Sequence, residues 1–242
     1  MLRFSLFGIP VEVQPFFWIV IAMFGGALSI SSSSDLMGTA VFMVAATASI
    51  LVHEFGHALT GRRLGGGSVR IVLWAFGGLA YNEGGRFTRS QRFWMIFMGP
   101  GAGFLFLALV LVLLAVFLGP KEAVGCFSWA AFRVVPEPFI TDALKEFVDP
   151  GNPNPRWWIA RSLIWINFWW SLINLLPVLP LDGGQIANLW VHPQRRMFLV
   201  SAITGASMAL FGFAVMGSLY VAILFGFLAY RSYQDFQSGG FR

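Results

Sequence analysis

Charge is scarce in this chain. Of its 242 residues 11% are Asp, Glu, Lys or Arg, while 57% are hydrophobic and 17% aromatic. So few charges cannot dress a water-facing surface, which excludes a soluble globule and, equally, disorder. The solvent for most of these side chains has to be lipid. Cysteine is nearly absent: the single Cys126 excludes an intramolecular disulfide and reads as packing. Histidine occurs three times, so each copy asks for a reason. Long polar stretches are missing too. The longest polar connection, Gly119 to Arg156, is too short to hold a second enzyme domain, which excludes a soluble protease on an anchor. No internal repeat or linker divides residues 1–242, and the chain reads as one domain.

What charge there is leans basic, with 16 Lys and Arg against 11 Asp and Glu for a net +5. No basic run is interleaved with exposed aromatics in a foldable soluble module, so no nucleic-acid partner is expected. In a membrane protein such a surplus sets orientation instead.

The apolar stretches predict an all-α polytopic membrane protein of about six transmembrane helices with a small membrane-associated β-sheet. Between Glu12 and Asp35 lie 22 uncharged residues, read as an uncleaved first span over 15–34. The second span, 36–60, is charge-free through Val52 and then carries His53, Glu54 and His57. The third, 93–118, has 26 residues without a charge. The fourth, 158–181, is rich in tryptophan and ends among Pro177, Pro180, Gly183 and Gly184. Met197 to Tyr230 is charge-free over 34 residues; at 1.5 Å per residue this is about 51 Å, well beyond a hydrocarbon core of roughly 30 Å. Two short spans, 197–212 and 217–230, fit better than one tilted helix.

Outside the spans, Phe4 to Gln14 contains Gly8 and Pro10 and reads as short strand and turn, while Val69 to Tyr81, broken at Gly77 and Gly78, reads as a hairpin at the membrane face. Ile140 to Val148 reads as a short amphipathic helix on the outer surface, Ser31 to Ser34 as a short loop, and Pro136, Pro138, Pro150, Pro153 and Pro155 punctuate the long connection. Trp157, Trp158, Trp169 and Trp170 read mostly as interface anchors and packing, with a substrate groove as the alternative for some of them. With six spans, eleven basic residues fall on one side: Arg3, the six arginines between residues 61 and 92, Arg195, Arg196, Arg231 and Arg242. Lys121, Arg133, Lys145, Arg156 and Arg161 remain for the other. The positive-inside rule makes the eleven-charge side, with both termini, cytosolic.

An ionisable residue at the centre of a span costs roughly 2.5 to 3.5 kcal/mol on insertion scales, so a cluster of them needs a function. His53-Glu54-Phe55-Gly56-His57 is an H-E-x-x-H pattern. Histidines at i and i+4 stand one turn apart on one helix face and can meet the same metal ion, while the glutamate projects at another angle, free to take a proton from water. A lone His or Glu near a span end would read as an interfacial side chain; the three together, in a chain with three histidines, do not.

A catalytic zinc normally takes three protein ligands and leaves a fourth position open, so one is missing. Asp182 is the leading candidate, being the acid at the end of another long span and at matching depth. His192, a better ligand type, competes, but it lies among Pro193, Arg195 and Arg196 in a loop where a solvated histidine is ordinary. Pro177 and Pro180 interrupt helix geometry near Asp182, and Gly183 and Gly184 let the backbone turn. Broken backbone at membrane depth is tolerated where protein or a watery cavity surrounds it.

These residues resemble the site-2 protease family of intramembrane zinc metalloproteases, peptidase family M50. The likeness rests on HEFGH at His53 to His57 and on Asn174-Leu-Leu-Pro177-Val-Leu-Pro180-Leu181-Asp182-Gly183, which fits N-x-x-P-x-x-x-L-D-G at every defined position. Gly99 to Gly103 supplies a weaker G-x-x-x-G, which alone means close helix packing, and Phe7-Gly8-Ile9-Pro10-Val11 looks like the opening of the compact members. The resemblance implies one Zn2+ per chain on His53, His57 and Asp182, Glu54 as the base, and Asn174 as a hydrogen-bond donor to the substrate carbonyl. It further implies regulated intramembrane proteolysis of transmembrane-segment substrates near the cytosolic face of a prokaryotic inner membrane. Substrate would add as a strand to a sheet edge. The length leaves no room for a PDZ domain or CBS pair, and any regulatory membrane partner is unidentified. The rival readings are a scaffold that binds membrane segments without cutting, from which Glu54 would be expected to be lost, and a metal transporter, whose polar groups would string through several spans near the midplane.

Overall fold

The computed structural model describes residues 1–75, 77–149 and 154–238; Pro150, Pro153 and Arg242, used in the sequence reading, lie outside the described residues. The protein is mostly helical, with one four-stranded sheet. Strands β1 (Leu2–Leu6) and β2 (Ile9–Val13) form a hairpin whose two-residue turn, Phe7 and Gly8, has φ of 52° and 70°, the pair of left-handed residues that a tight hairpin of this twist requires. Strand β2 pairs in parallel with β3 (Ser68–Trp74), and β3 pairs antiparallel with β4 (Gly77–Glu83), in the order β1-β2-β3-β4. Alternation places Ile9, Val11 and Val13 with Val69, Ile71 and Leu73 on one buried face. There they meet Phe17 and Ile21 of α1 (Pro15–Phe24) and Ala46, Ile50 and Phe55 of α2 (Ser33–Gly65). Both expected β-regions are therefore present, joined into one sheet against the helix that carries the H-E-x-x-H pattern.

The first expected span takes a different form. Helix α1 has 10 residues, about 15 Å and half a hydrocarbon core, and stops at Gly25 and Gly26 before a 3₁₀ turn, Ala27–Ser29. The side chain of Ser32 then caps α2 and exchanges bonds with Asp35 in a capping box. Ser33 and Ser34 consequently belong to the helix instead of the expected loop. Helix α2 runs 33 residues, about 50 Å. Helix α3 (Arg89–Leu118) starts on a second capping box between Thr88 and Gln91. The long connection is also folded: α4 (Pro120–Phe132) and α5 (Asp142–Val148) lean against α3 and α6 (Pro155–Asn174). Cys126 and Phe147 are fully buried there with Leu144, Trp157 and Ile164. Helix α5 is the short amphipathic helix expected between Ile140 and Val148, its Leu144 and Phe147 buried in a small second core.

The fourth expected span ends early. Helix α6 closes at Asn174, a turn follows, and Asp182 opens the short helix α7 (Asp182–Asn188). The stretch from 197 to 230 is two helices, α8 (Gln194–Ala214) and α9 (Leu219–Gln237), turning near Gly217. Gly205 sits against the Ala229 backbone, so the pair packs closely. Among the described residues α2, α3 and α8 are long and apolar enough to cross a membrane, and with this composition the chain is an integral membrane protein.

Candidate metal centre

His53 and His57 lie on the same face of α2, and their Nε2 atoms are 3.2 Å apart. Asp182 Oδ2 reaches in from the start of α7, 3.1 Å from His53 Nε2 and 3.3 Å from His57 Nε2. Three donor atoms thus form a nearly equilateral triangle. Tetrahedral zinc with ligands at about 2.0 Å sets its donors about 3.3 Å apart. Asp182 Oδ2 is buried without an aligned hydrogen bond despite these short distances, as expected when atoms aim at a common point between them instead of at one another. The donor set, two imidazoles and a carboxylate, suits zinc chemically as well. Among the described residues this trio is the group of His, Cys, Asp and Glu able to share an ion.

The surroundings orient the ligands. His57 Nδ1 donates to the Met95 carbonyl on α3 at 2.9 Å, which leaves the Nε2 lone pair for a metal. Helix α3 comes this close because glycine stands at both contacts: a Cβ on Gly56 would strike the Met98 carbonyl, and one on Gly99 would overlap the His57 ring. Gly103, the other end of the G-x-x-x-G, gives room to Ser171 on α6. The small-residue motif therefore does more than bring helices together; it makes room for the His57 ring.

Glu54 is buried, 3% exposed, and does not join the triangle. Its carboxylate lies against β4, where a Cβ on Gly78 would collide with it. The strand after Gly77 is thus laid directly over the candidate base. Trp170, read in the sequence as an interface residue or packing, has its ring centroid 6.4 Å from that of His53 and touches Gly77. It walls the site. Asn174 ends α6 half-buried, and its Nδ2 donates to the Trp170 carbonyl at 2.9 Å, not to the ligand trio.

Asp182 is aimed by a turn. Helix α6 ends before Pro177, the Leu179–Pro180 bond is cis, and the Leu181 amide donates to the Val178 carbonyl at 2.8 Å. Gly183 and Gly184 act otherwise than expected. Neither has a positive φ; both lie in α7, where a Cβ would run into Leu175 or Val178 backbone. They allow close packing, not free turning. The turn is also tied to the C-terminal helices: the Leu179 amide donates to Ser201 Oγ on α8 at 2.8 Å, and Ser201 bonds to Ser232 of α9 at 2.7 Å. Both serines are buried. His192 is exposed beyond α7 and stays out of the trio, whereas Asp182 lies within it. Met95, Gly78, Ser201 and the placement of Trp170 carry no local signal, because each matters only through a contact with a distant segment.

The chain resembles known proteins in keeping with this geometry. It is 30% identical over 155 residues to a Mycobacterium tuberculosis protein named as the zinc metalloprotease Rip3, over 63% of this chain and 31% of that one. It is 30% identical over 231 residues to a Synechocystis protein named as the zinc metalloprotease sll0528, over 89% of this chain and 51% of that one. The chain thus spans about a third to a half of the length of these relatives. Its fold matches that of the site-2 protease from Methanocaldococcus jannaschii with a TM-score of 0.57 at 20% identity, over 97% of this chain and 94% of that one. The family model of peptidase family M50 matches residues 41–219. That stretch holds both the histidine pair and the turn that presents Asp182, and the chain belongs to peptidase family M50.

Proposed function

We propose that this chain is an intramembrane zinc metalloprotease that hydrolyses peptide bonds within or beside transmembrane segments of membrane-protein substrates. The convergence of His53 Nε2, His57 Nε2 and Asp182 Oδ2, with the Glu54 carboxylate one residue away and outside the triangle, carries this reading. Zinc held by the trio would polarise a carbonyl and make water acidic. Glu54 takes the proton from the attacking water and returns it to the leaving amine. Asn174 keeps one amide hydrogen on Trp170 and has a second to offer a substrate carbonyl. A helical substrate hides its carbonyls in its own bonds, so it unwinds first, and the free edge of β4 beside Glu54 offers backbone pairing to the extended chain.

An orientation with the N-terminal sheet, the arginine-rich 61–92 segment and both termini in the cytosol of a prokaryotic cell completes the proposal. The arginines support that orientation. The same polarity puts the site nearer the cytosolic face, since His57 lies five residues before Arg62 on α2. Regulated proteolysis of single-span proteins is the class of process this serves.

The test is Glu54→Gln in full-length protein, reading zinc content and cleavage of a single-span substrate together. Zinc should stay near one per chain while cleavage falls by about 10² to 10⁴. Cleavage at the parent rate would sink the assignment of the base. Absence of cleavage in the zinc-loaded parent across a panel of single-span substrates would favour the binding-only scaffold.

A further inference from the structure

A second polar feature lies away from the metal centre. A cleft of about 320 Å³ runs between Phe87 and His192, but the other, of about 290 Å³, has the more telling lining: Arg133 and Arg161 with Phe24, Phe42, Ser162 and Trp165. Its depth can be read from α2. Arg62 marks the cytosolic end of the apolar stretch, and a hydrocarbon core of roughly 30 Å is about 20 residues of helix. Counting back from Arg62 reaches Phe42. The cleft therefore opens at the outer hydrocarbon boundary, where Trp165, 41% exposed, fits an interfacial aromatic.

The two arginines are under-used by the protein. Arg133 is exposed just past α4, stacks on the Trp129 ring at 4.2 Å, and has no hydrogen-bond or carboxylate partner among the described residues. Arg161 donates to the Trp157 and Asp149 carbonyls at 3.2 and 3.4 Å, yet its Nη2 is buried without a partner. The Asp149 carboxylate attracts Arg161, while Arg133 repels it. Two guanidinium groups facing one cleft, with N–H donors left over, call for an anion. Apolar walls beneath them call for a hydrocarbon chain on that anion.

We propose that this cleft binds an anionic phospholipid, its phosphodiester bridging Arg133 and Arg161 and an acyl chain lying along Phe24, Phe42 and Trp165. At the hydrocarbon boundary a phospholipid has its phosphodiester level with the guanidinium groups and its acyl chains toward the core. The site would then tether α4 and α6 to the outer leaflet, independently of the metal centre.

The test uses full-length protein in detergent, titrated with phosphatidylglycerol, phosphatidylcholine or inorganic phosphate and read by native mass spectrometry. Phosphatidylglycerol should bind in preference to phosphatidylcholine, and phosphate should not compete. Arg133→Gln should weaken phosphatidylglycerol about tenfold, equivalent to ~1.4 kcal/mol, with zinc content unchanged; Arg156→Gln should bind as the parent does. Arg161→Gln should weaken it as well, but because Arg161 braces α6, the exposed Arg133 gives the decisive variant. Equal binding of the two lipids, competition by inorganic phosphate, or undiminished phosphatidylglycerol binding by Arg133→Gln would each overturn the proposal.

Discussion

Metal retention at this site turns on single atoms. His57→Ala or Asp182→Ala removes one corner of the donor triangle, and either variant should emerge from purification with little zinc, measured as metal per protein. His192→Ala should keep the parent content, since that side chain is exposed and outside the trio. Gly99 gives a subtler case. A methyl there would press on the His57 imidazole, and overpacking of this kind costs typically 1 to 3 kcal/mol. Gly99→Ala should lose zinc while circular dichroism still reports native helix content; full zinc occupancy would show that the ring has room to move. The pair at residues 53 and 57 could be read from sequence because both ligands share one helix turn. Asp182 could be preferred to His192 as the third ligand from its place at the end of a span and from the motif around it, but the approach of α7 to α2 is not encoded in any local period.

At the scale of elements, the turn between α6 and α7 does the positioning, and α8 with α9 holds that turn. Ser201 accepts the Leu179 amide and bonds Ser232 in a buried chain. Ser201→Ala leaves the amide without its acceptor, a loss of about 1 to 3 kcal/mol. The expected outcome is faster zinc release to a chelator, with recovery in Ser201→Thr if the longer side chain keeps its hydroxyl in place. Unchanged release despite a lowered melting temperature would reduce the serines to a packing role. Several elements differ from the sequence reading for one reason. An apolar stretch looks the same whether lipid or protein covers it. Thus residues 15–34 read as a span although α1 stops after 10 residues, and the α4 segment read as part of a connection although it is a helix with Cys126 buried in a core.

For the whole molecule, zinc and fold should be linked. A ligand that binds the native state alone adds RT ln(1 + [L]/Kd), about 2.7 kcal/mol at a hundredfold excess over Kd. Removing zinc with a chelator should therefore lower the melting temperature of the parent, and leave that of His57→Ala unmoved. Orientation is checked by impermeant thiol labelling of intact cells, with Cys126 buried and silent. Glu137→Cys should label from outside and Arg86→Cys only after the membrane is opened; the reverse pattern would invert the proposed topology.

Membrane residence, the histidine pair with its glutamate, the strand and turn near the start and the hairpin after α2 followed from the sequence alone, because each depends on composition or on a period of two to four residues; the division of residues 197–230 was only the better of two readings. The tertiary structure decided how closely Asp182 approaches the histidine pair, which strand covers Glu54, why Gly99, Gly183 and Gly184 have no side chain, and which apolar segments face protein instead of lipid. Those outcomes belong to contacts between segments far apart in the chain, whose free energy depends on mutual approach and not on the identity of either partner by itself.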